Sequence, residues 1–176
     1  MFLAVGPKPL TPFQLIDHRG GSFGPEQFGG YWSLLFFGYT FCPDICPTVM
    51  GDLEGVFVEF EERRALDESL RAIFISVDPK RDDPERVGAY VDYFHPAFVG
   101  LTGDPKEIQA LATQVGAVYF IRPGQEEEDY LVSHTASVFL IDPKGRFVGI
   151  FPAPHEPRKL AERFIQIRKQ HEGETP

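Results

Sequence analysis

The sequence predicts an α/β fold built on a mixed central sheet flanked by helices, and three observations carry that prediction. Two nearly continuous apolar runs of strand length, Trp32 to Tyr39 and Arg71 to Val77, read as strands covered on both faces. Helical patterns opening on prolines follow each of them, and strand–helix alternation of this kind builds a parallel sheet. Late in the chain, Ser137 to Ile141 and Phe147 to Phe151 flank Asp142-Pro143-Lys144-Gly145-Arg146, a hairpin signal that adds antiparallel pairing.

Taken in order, residues 1–10 are expected to precede the domain, as a segment left after removal of an anchor or leader, and residues 11–170 to form one undivided domain. Met1 to Val5 is too short and lacks the charged flank of a secretory signal, and no apolar run approaches the roughly 20 residues that span a bilayer. Thr11 to Ile16 alternates as a half-buried strand does, Asp17-His18-Arg19-Gly20-Gly21 is a turn, and Ser22-Phe23 returns as the second arm of an N-terminal hairpin. Pro25 to Phe28 fits one helical turn. Pro47 suits the first turn of a helix, and Met50, Leu53, Phe57 and Phe60 continue it at helical spacing to about Arg64. Helices are predicted over Pro84 to Phe94, Pro105 to Val115 and Glu156 to Gln170, and short strands over Phe98 to Leu101 and Val118 to Ile121. The tail, His171 to Pro176, is expected to fray.

A chain of 176 residues with 43% hydrophobic content can bury one proper core. Its formal net charge of -9 argues against nucleic acid and favours a basic protein or a cation as partner. The acidic run Glu126-Glu127-Glu128-Asp129 reads as solvated loop. Two cysteines are too few for a disulfide-stapled scaffold.

Both cysteines fall inside Phe36-Phe37-Gly38-Tyr39-Thr40-Phe41-Cys42-Pro43-Asp44-Ile45-Cys46-Pro47. Proline disfavours helical geometry in the residue before it, so Cys42 and Cys46 are both expected in a loop. That loop leaves the C-terminal end of a central parallel strand, where ligands bind in open α/β sheets, and faces the positive end of a helix. Both effects favour a thiolate, the form that redox exchange and metal ligation each require; Asp44 opposes it. Two thiolates do not complete a zinc site, whereas soft sulfur with one imidazole suits copper in either common oxidation state. Of the five histidines, His18, His95, His155 and His171 read as solvated or local hydrogen-bonding residues. His134 is the candidate ligand because it stands just before an apolar strand, where a loop can reach the thiol edge; a turn-capping imidazole is the alternative. Asp78 ends the second buried strand at that same edge, so an outer-shell role stays open for it. Asp82 and Asp83, before Pro84, read as turn and helix-capping residues.

These segments, with Val77-Asp78-Pro79-Lys80-Arg81-Asp82, His134-Thr135-Ala136 and Phe139-Leu140-Ile141-Asp142-Pro143, resemble the Sco (SenC) family from about Phe13 to Phe164. The resemblance implies a thioredoxin-like fold and a copper metallochaperone that assists assembly of the binuclear copper centre of cytochrome c oxidase. It implies that Cys42, Cys46 and His134 bind one copper, Cu(I) or Cu(II), and that the partner is the copper-receiving oxidase subunit, with other copper chaperones or thiol-disulfide proteins besides. It further implies an N-terminal membrane anchor and a domain facing the bacterial periplasm or the mitochondrial intermembrane space. Ser133 departs from the pattern, since an acidic residue is expected before the histidine. The alternative function is a thiol-disulfide oxidoreductase in which Cys42 and Cys46 form a catalytic redox pair. A peroxidase is disfavoured because Tyr39, not Thr or Ser, lies three residues before Cys42. A purely structural disulfide would leave His134 and Asp78 unexplained.

Overall fold

A computed structural model describes residues 1–63, 69–122 and 131–173, so the acidic run 126–129 and the last three residues lie outside the described residues. Among the described residues, ten strands and four α-helices follow the chain as β1 (Leu3–Pro9), β2 (Leu15–Asp17), β3 (Ser22–Phe23), β4 (Trp32–Gly38), α1 (Ile45–Glu62), β5 (Leu70–Ser76), α2 (Pro84–Phe94), β6 (Val99–Thr102), α3 (Pro105–Val115), β7 (Tyr119–Arg122), β8 (Leu131–His134), β9 (Val138–Ile141), β10 (Arg146–Phe151) and α4 (Pro157–Gly173), with one 3-10 turn at Pro25–Phe28. Eight strands form one sheet in the order β1-β10-β9-β4-β5-β6-β2-β3, and β7 pairs with β8 alone. Among the described strands, β4–β5 and β5–β6 are the parallel pairs. The sheet is therefore mixed, as predicted, and the fold is thioredoxin-like.

The two apolar runs become the central strands because every β4 residue is buried, between β5 and β9. Since β4, β5 and β6 advance in one direction, right-handed crossovers put α1 and α2 on the same face. The last helix joins them there: Phe164 meets Phe60 of α1 and Trp32 of β4, each at 5.5 Å between ring centroids. Helix starts follow the local chemistry. Asp83 caps α2 by accepting from Arg86 N at 2.8 Å, Asp104 caps α3 by accepting from Lys106 N at 2.8 Å, and each is followed by a proline whose missing N–H costs nothing there. Gly116 ends α3 at φ 78°, a left-handed conformation cheap only for glycine. In the β9–β10 turn, Asp142 accepts from the backbone N of Lys144 and Arg146 and pairs with the Arg146 guanidinium.

Four expectations need correction. Residues 1–10 do not stand outside the sheet, because β1 pairs antiparallel with β10. Its side chains are mostly exposed, so backbone pairing rather than burial makes it a strand. The N-terminal hairpin exists, but its first arm is only Leu15–Asp17 rather than Thr11 to Ile16. Helix α1 opens at Ile45, which keeps Pro47 in its first turn as expected but takes in Cys46, expected in a loop. Finally, α4 runs to Gly173, and His171, expected to fray, packs edge-on against Trp32 at 5.1 Å.

Candidate metal centre

The thiol segment leaves β4 at Gly38 and is pinned before it reaches the first cysteine. Asp82, fully buried, accepts from Thr40 N at 2.9 Å, from Thr40 Oγ1 at 2.6 Å and from Ser76 Oγ at 2.6 Å, tying the segment to the end of β5. The Asp82 carbonyl takes Thr102 Oγ1 at 2.9 Å, which adds the end of β6 to the same clamp. Asp44, at the cap of α1, makes no side-chain capping bond. A sulfur takes up that role instead: Cys42 Sγ accepts from Cys46 N at 3.4 Å, at the positive end of the helix. Cys46 is fully buried, and a Cβ on Gly38 would stand 2.9 Å from its sulfur. Glycine at the end of β4 thus makes room for the second thiol.

The imidazole arrives from the opposite direction. His134 ends β8 and faces Tyr119 across the β7–β8 ladder. Thr135 fastens that end to the strand opposite, since its N donates to Val118 O and its Oγ1 accepts from Val118 N, each at 2.9 Å. The ring stands edge-on to Phe36 and Tyr39, with centroids 5.5 and 6.1 Å away. Its Nδ1 lies 3.3 Å from Thr135 O and its Nε2 lies 2.9 Å from Cys46 Sγ. The Sγ atoms of Cys42 and Cys46 and the nearest His134 nitrogen all lie within 4.8 Å of one another. Three ligands at about 2.0–2.3 Å from one ion stand roughly 4 Å apart, so this set could close on a metal with small side-chain shifts.

The two thiols differ in charge. Cys42 is pulled down to about 3, first because the Cys46 thiol donates to it, then through His134 and the backbone N–H groups of Asp44 and Cys46, against partial burial. Cys46 is pushed up by burial first, and then by its hydrogen bond to Cys42, with the Asp82 charge adding to the effect. One sulfur is therefore the thiolate and the other keeps the proton.

A family model described as SCO1/SenC matches residues 6–169. The chain belongs to the SCO1/SenC family. Human "Protein SCO1 homolog, mitochondrial" is 39% identical over 146 residues, which are 82% of this chain and 48% of the relative. The first relatives run longer than the match, and the chain spans about half their length. Among solved structures, Arabidopsis thaliana ScoI with copper bound is 34% identical with a TM-score of 0.83, covering 91% of this chain and 98% of that one. Bradyrhizobium japonicum ScoI with copper bound is 36% identical with a TM-score of 0.78, covering 90% and 98%.

Within this Sco domain the structure brings Cys42, Cys46 and His134 together, although two of them do not sit as expected. Cys46 lies in the first turn of α1 rather than in a loop, because the first helical turn needs no N–H from Pro47. His134 ends a strand rather than lying in a loop. Asp78 is not among the converging donors: it is buried, its Oδ2 takes Arg81 Nε at 2.5 Å, and its N donates to Ser76 Oγ. The carboxylate whose charge bears on Cys46 is Asp82. Spacing before Pro84 suggested a cap for it, a role that Asp83 alone fills. Nothing local to Asp82 signals its clamp, since the key partner, Thr40, is 42 residues away. Where an acidic neighbour of the histidine was expected, Ser133 pairs across to Phe120, and the Thr135 carbonyl orients the ring instead. Of the other histidines, His95 and His155 are held locally, with His95 Nδ1 accepting from Ala97 N and His155 Nε2 donating to Phe151 O, whereas His18 Nδ1 accepts from Gly100 N, 82 residues away, and His171 packs on Trp32.

Proposed function

We propose that this Sco domain is a copper metallochaperone that holds one copper ion as cargo on Cys42, Cys46 and His134 and delivers it to the copper-receiving subunit of cytochrome c oxidase. The observation that carries the reading is the approach of His134 Nε2 to 2.9 Å from Cys46 Sγ, across 88 residues of chain. Two thiolates and an imidazole match the preference of Cu(I) for soft sulfur and can also hold Cu(II). Copper-bound relatives with the same fold support the choice of metal. An exposed edge suits hand-over: Cys42 is part-exposed, so a recipient thiolate or imidazole can enter before the buried Cys46 lets go.

The reading carries a setting with it, on the extracytoplasmic side of a membrane, the bacterial periplasm or the mitochondrial intermembrane space, with an N-terminal anchor. The mitochondrial naming of the human relative supports that setting. No helix among the described residues is long and apolar enough to cross a membrane.

The test is a titration of reduced protein with Cu(I) and Cu(II), followed by absorption and spin-resonance spectra. One tight site with a thiolate-to-Cu(II) charge-transfer band is expected, abolished in Cys42→Ala and Cys46→Ala and weakened in His134→Ala. Unchanged stoichiometry in Cys46→Ala would sink the proposal.

A second reading rests on the uneven thiols. A part-exposed Cys42 thiolate beside a protonated, buried Cys46 is the arrangement of a thiol-disulfide oxidoreductase. Cys42 would attack a disulfide of the copper-receiving protein, releasing one of its thiolates, and Cys46 would then resolve the mixed disulfide, leaving Cys42–Cys46 oxidised and the partner reduced. His134→Ala separates the two readings, for it spares disulfide exchange and damages copper loading.

A further inference from the structure

At the other end of the central strands from the thiols, a half-buried arginine has no counter-ion among the described residues. Arg71 is the second residue of β5, five residues before Ser76, so about 16 Å separates the two ends. Its guanidinium carbon lies over the rings of Tyr31, Phe23 and Phe28 at 4.2, 5.3 and 5.7 Å. Arg71 Nε donates to Ser33 Oγ at 3.1 Å and Nη2 to Gln27 O at 2.5 Å. Among the described residues no carboxylate pairs with it. Burial pulls its pKa down to about 10, which leaves it charged at neutral pH.

This arginine lines a cleft of about 370 Å³, the size of many small-ligand sites. The other ionisable side chains of the cleft are Arg19, His18, Asp17, Glu26 and Tyr31. His18 uses Nδ1 to accept from Gly100 N, so its Nε2–H is a donor, while Asp17 spends Oδ1 on the backbone N of Arg19 and Gly21. A half-buried cation held by rings and neutral acceptors is stabilised by an incoming anion far more than a solvated one would be. Ser33 and Gln27 hold Nε and one Nη2 hydrogen, leaving Nη1 and the second Nη2 hydrogen for a planar carboxylate. Two carboxylates in the same cleft set the charge limit. A doubly charged phosphate meets both, and a single carboxylate meets less repulsion.

We propose that the cleft beside Arg71 binds a small monoanionic carboxylate, seated on the guanidinium with its apolar part against Tyr31 and Phe23. The carboxylate belongs either to a free small molecule or to the C-terminus of a peptide. The site is independent of the thiol end and stands whether or not copper is the cargo there.

The test is a titration of ¹⁵N-labelled wild-type protein with benzoate, with benzamide as neutral isostere, with inorganic phosphate, and with an acetylated dipeptide carrying a free or an amidated C-terminus. Benzoate should shift the Arg71 Nε–H signal and the amides of Tyr31, Arg71 and Val99 saturably, leaving Cys42 and His134 in place. Loss of one charged hydrogen-bonded contact predicts binding about tenfold weaker, or more, for benzamide and for Arg71→Gln. If the dipeptide acid binds tighter than benzoate and its amide does not, the source is a chain terminus; benzoate tighter than the dipeptide marks a free small molecule. Benzamide matching benzoate, phosphate outcompeting both carboxylates, or the absence of saturable shifts at Arg71 would each overturn the proposal. The wild-type comparison decides it even where Arg71→Gln fails to fold.

Discussion

Asp82 is the buried group on which the geometry of the thiol end most depends, and two substitutions separate its charge from its hydrogen bonding. In Asp82→Ala, three donors lose their acceptor: Thr40 N, Thr40 Oγ1 and Ser76 Oγ. The two hydroxyls can rotate toward other acceptors, but the part-buried Thr40 N–H is fixed by the backbone and stays aimed at the vacated place. Hydrogen bonds to a charged acceptor contribute about 1.5–3 kcal/mol each, and a stranded buried donor costs about 1–3 kcal/mol. With the hydroxyls partly recovered, Asp82→Ala should destabilise by about 3–5 kcal/mol. In Asp82→Asn, the amide oxygen can keep the place of Oδ2, which serves Thr40 N and Ser76 Oγ, while the amide NH₂ in place of Oδ1 donates to a reversed Thr40 hydroxyl. All partners survive, and only the charge is lost, so about 1–2 kcal/mol is expected. Urea unfolding of reduced, metal-free protein measures both values, provided the slope m stays constant. Each kcal/mol corresponds to about 2–4 °C in Tm at this chain length. Equal losses in the two variants, or a loss below about 1 kcal/mol in Asp82→Ala, would refute the clamp.

Further outcomes follow from the same geometry. Gly38→Ala should cost about 1–3 kcal/mol and displace Cys46, because its Cβ would sit 2.9 Å from that sulfur and 2.9 Å from the Phe74 ring in a filled core; unchanged stability and metal affinity would contradict it. Cys42, held at about 3, should be alkylated at a rate nearly flat between pH 5 and 8, whereas an ordinary thiol gains about tenfold per pH unit there; a midpoint near 8.5 would show that Cys46 and His134 do not stabilise its thiolate. The sign for stability follows: a depressed folded pKa makes the Cys42 contribution full above the unfolded value near 8.5 and progressively lost toward pH 3, so Cys42→Ser should flatten the pH dependence of stability on the acid side. Thr135→Val removes the hydroxyl contact with Val118 and should weaken metal binding more than it lowers Tm, measured by chelator competition beside thermal unfolding.

The parts of the fold that the sequence made legible are those in which burial writes a pattern. Trp32 to Gly38 and Leu70 to Ser76 are mostly apolar because both faces are largely covered, and Asp83-Pro84 and Asp104-Pro105 mark helix starts because one residue does the capping locally. Strand β1 left no such pattern. Its run Leu-Ala-Val-Gly-Pro-Lys-Pro contains two prolines and mostly exposed side chains, and it is a strand only because β10 offers it an edge. Local rules also overstated the proline effect at Cys46, which lies in the first helical turn before Pro47, where the missing proline N–H costs nothing.

The candidate site divides along the same line. Cys42 and Cys46 could be singled out because they are neighbours in the chain, and His134 because it stands at a strand end on the proper side of the sheet. Asp82 could not, since its identity as a clamp exists only once Thr40 and Ser76 are folded onto it. The proposed hand-over of copper gives that difference a reason. A donor set built to release its ion must be held from behind rather than by its own depth of burial, and here the holding groups come from elements that are strangers in sequence: the β5–β6 end through Asp82 and Thr102, and the β7–β8 ladder through Thr135. Cys42 and His134 are left part-exposed, where a recipient can reach them, while Cys46 is buried. Stiffening behind the ligands with access in front is what ligand-by-ligand exchange demands, because each departing donor must stay in place while the incoming one bonds.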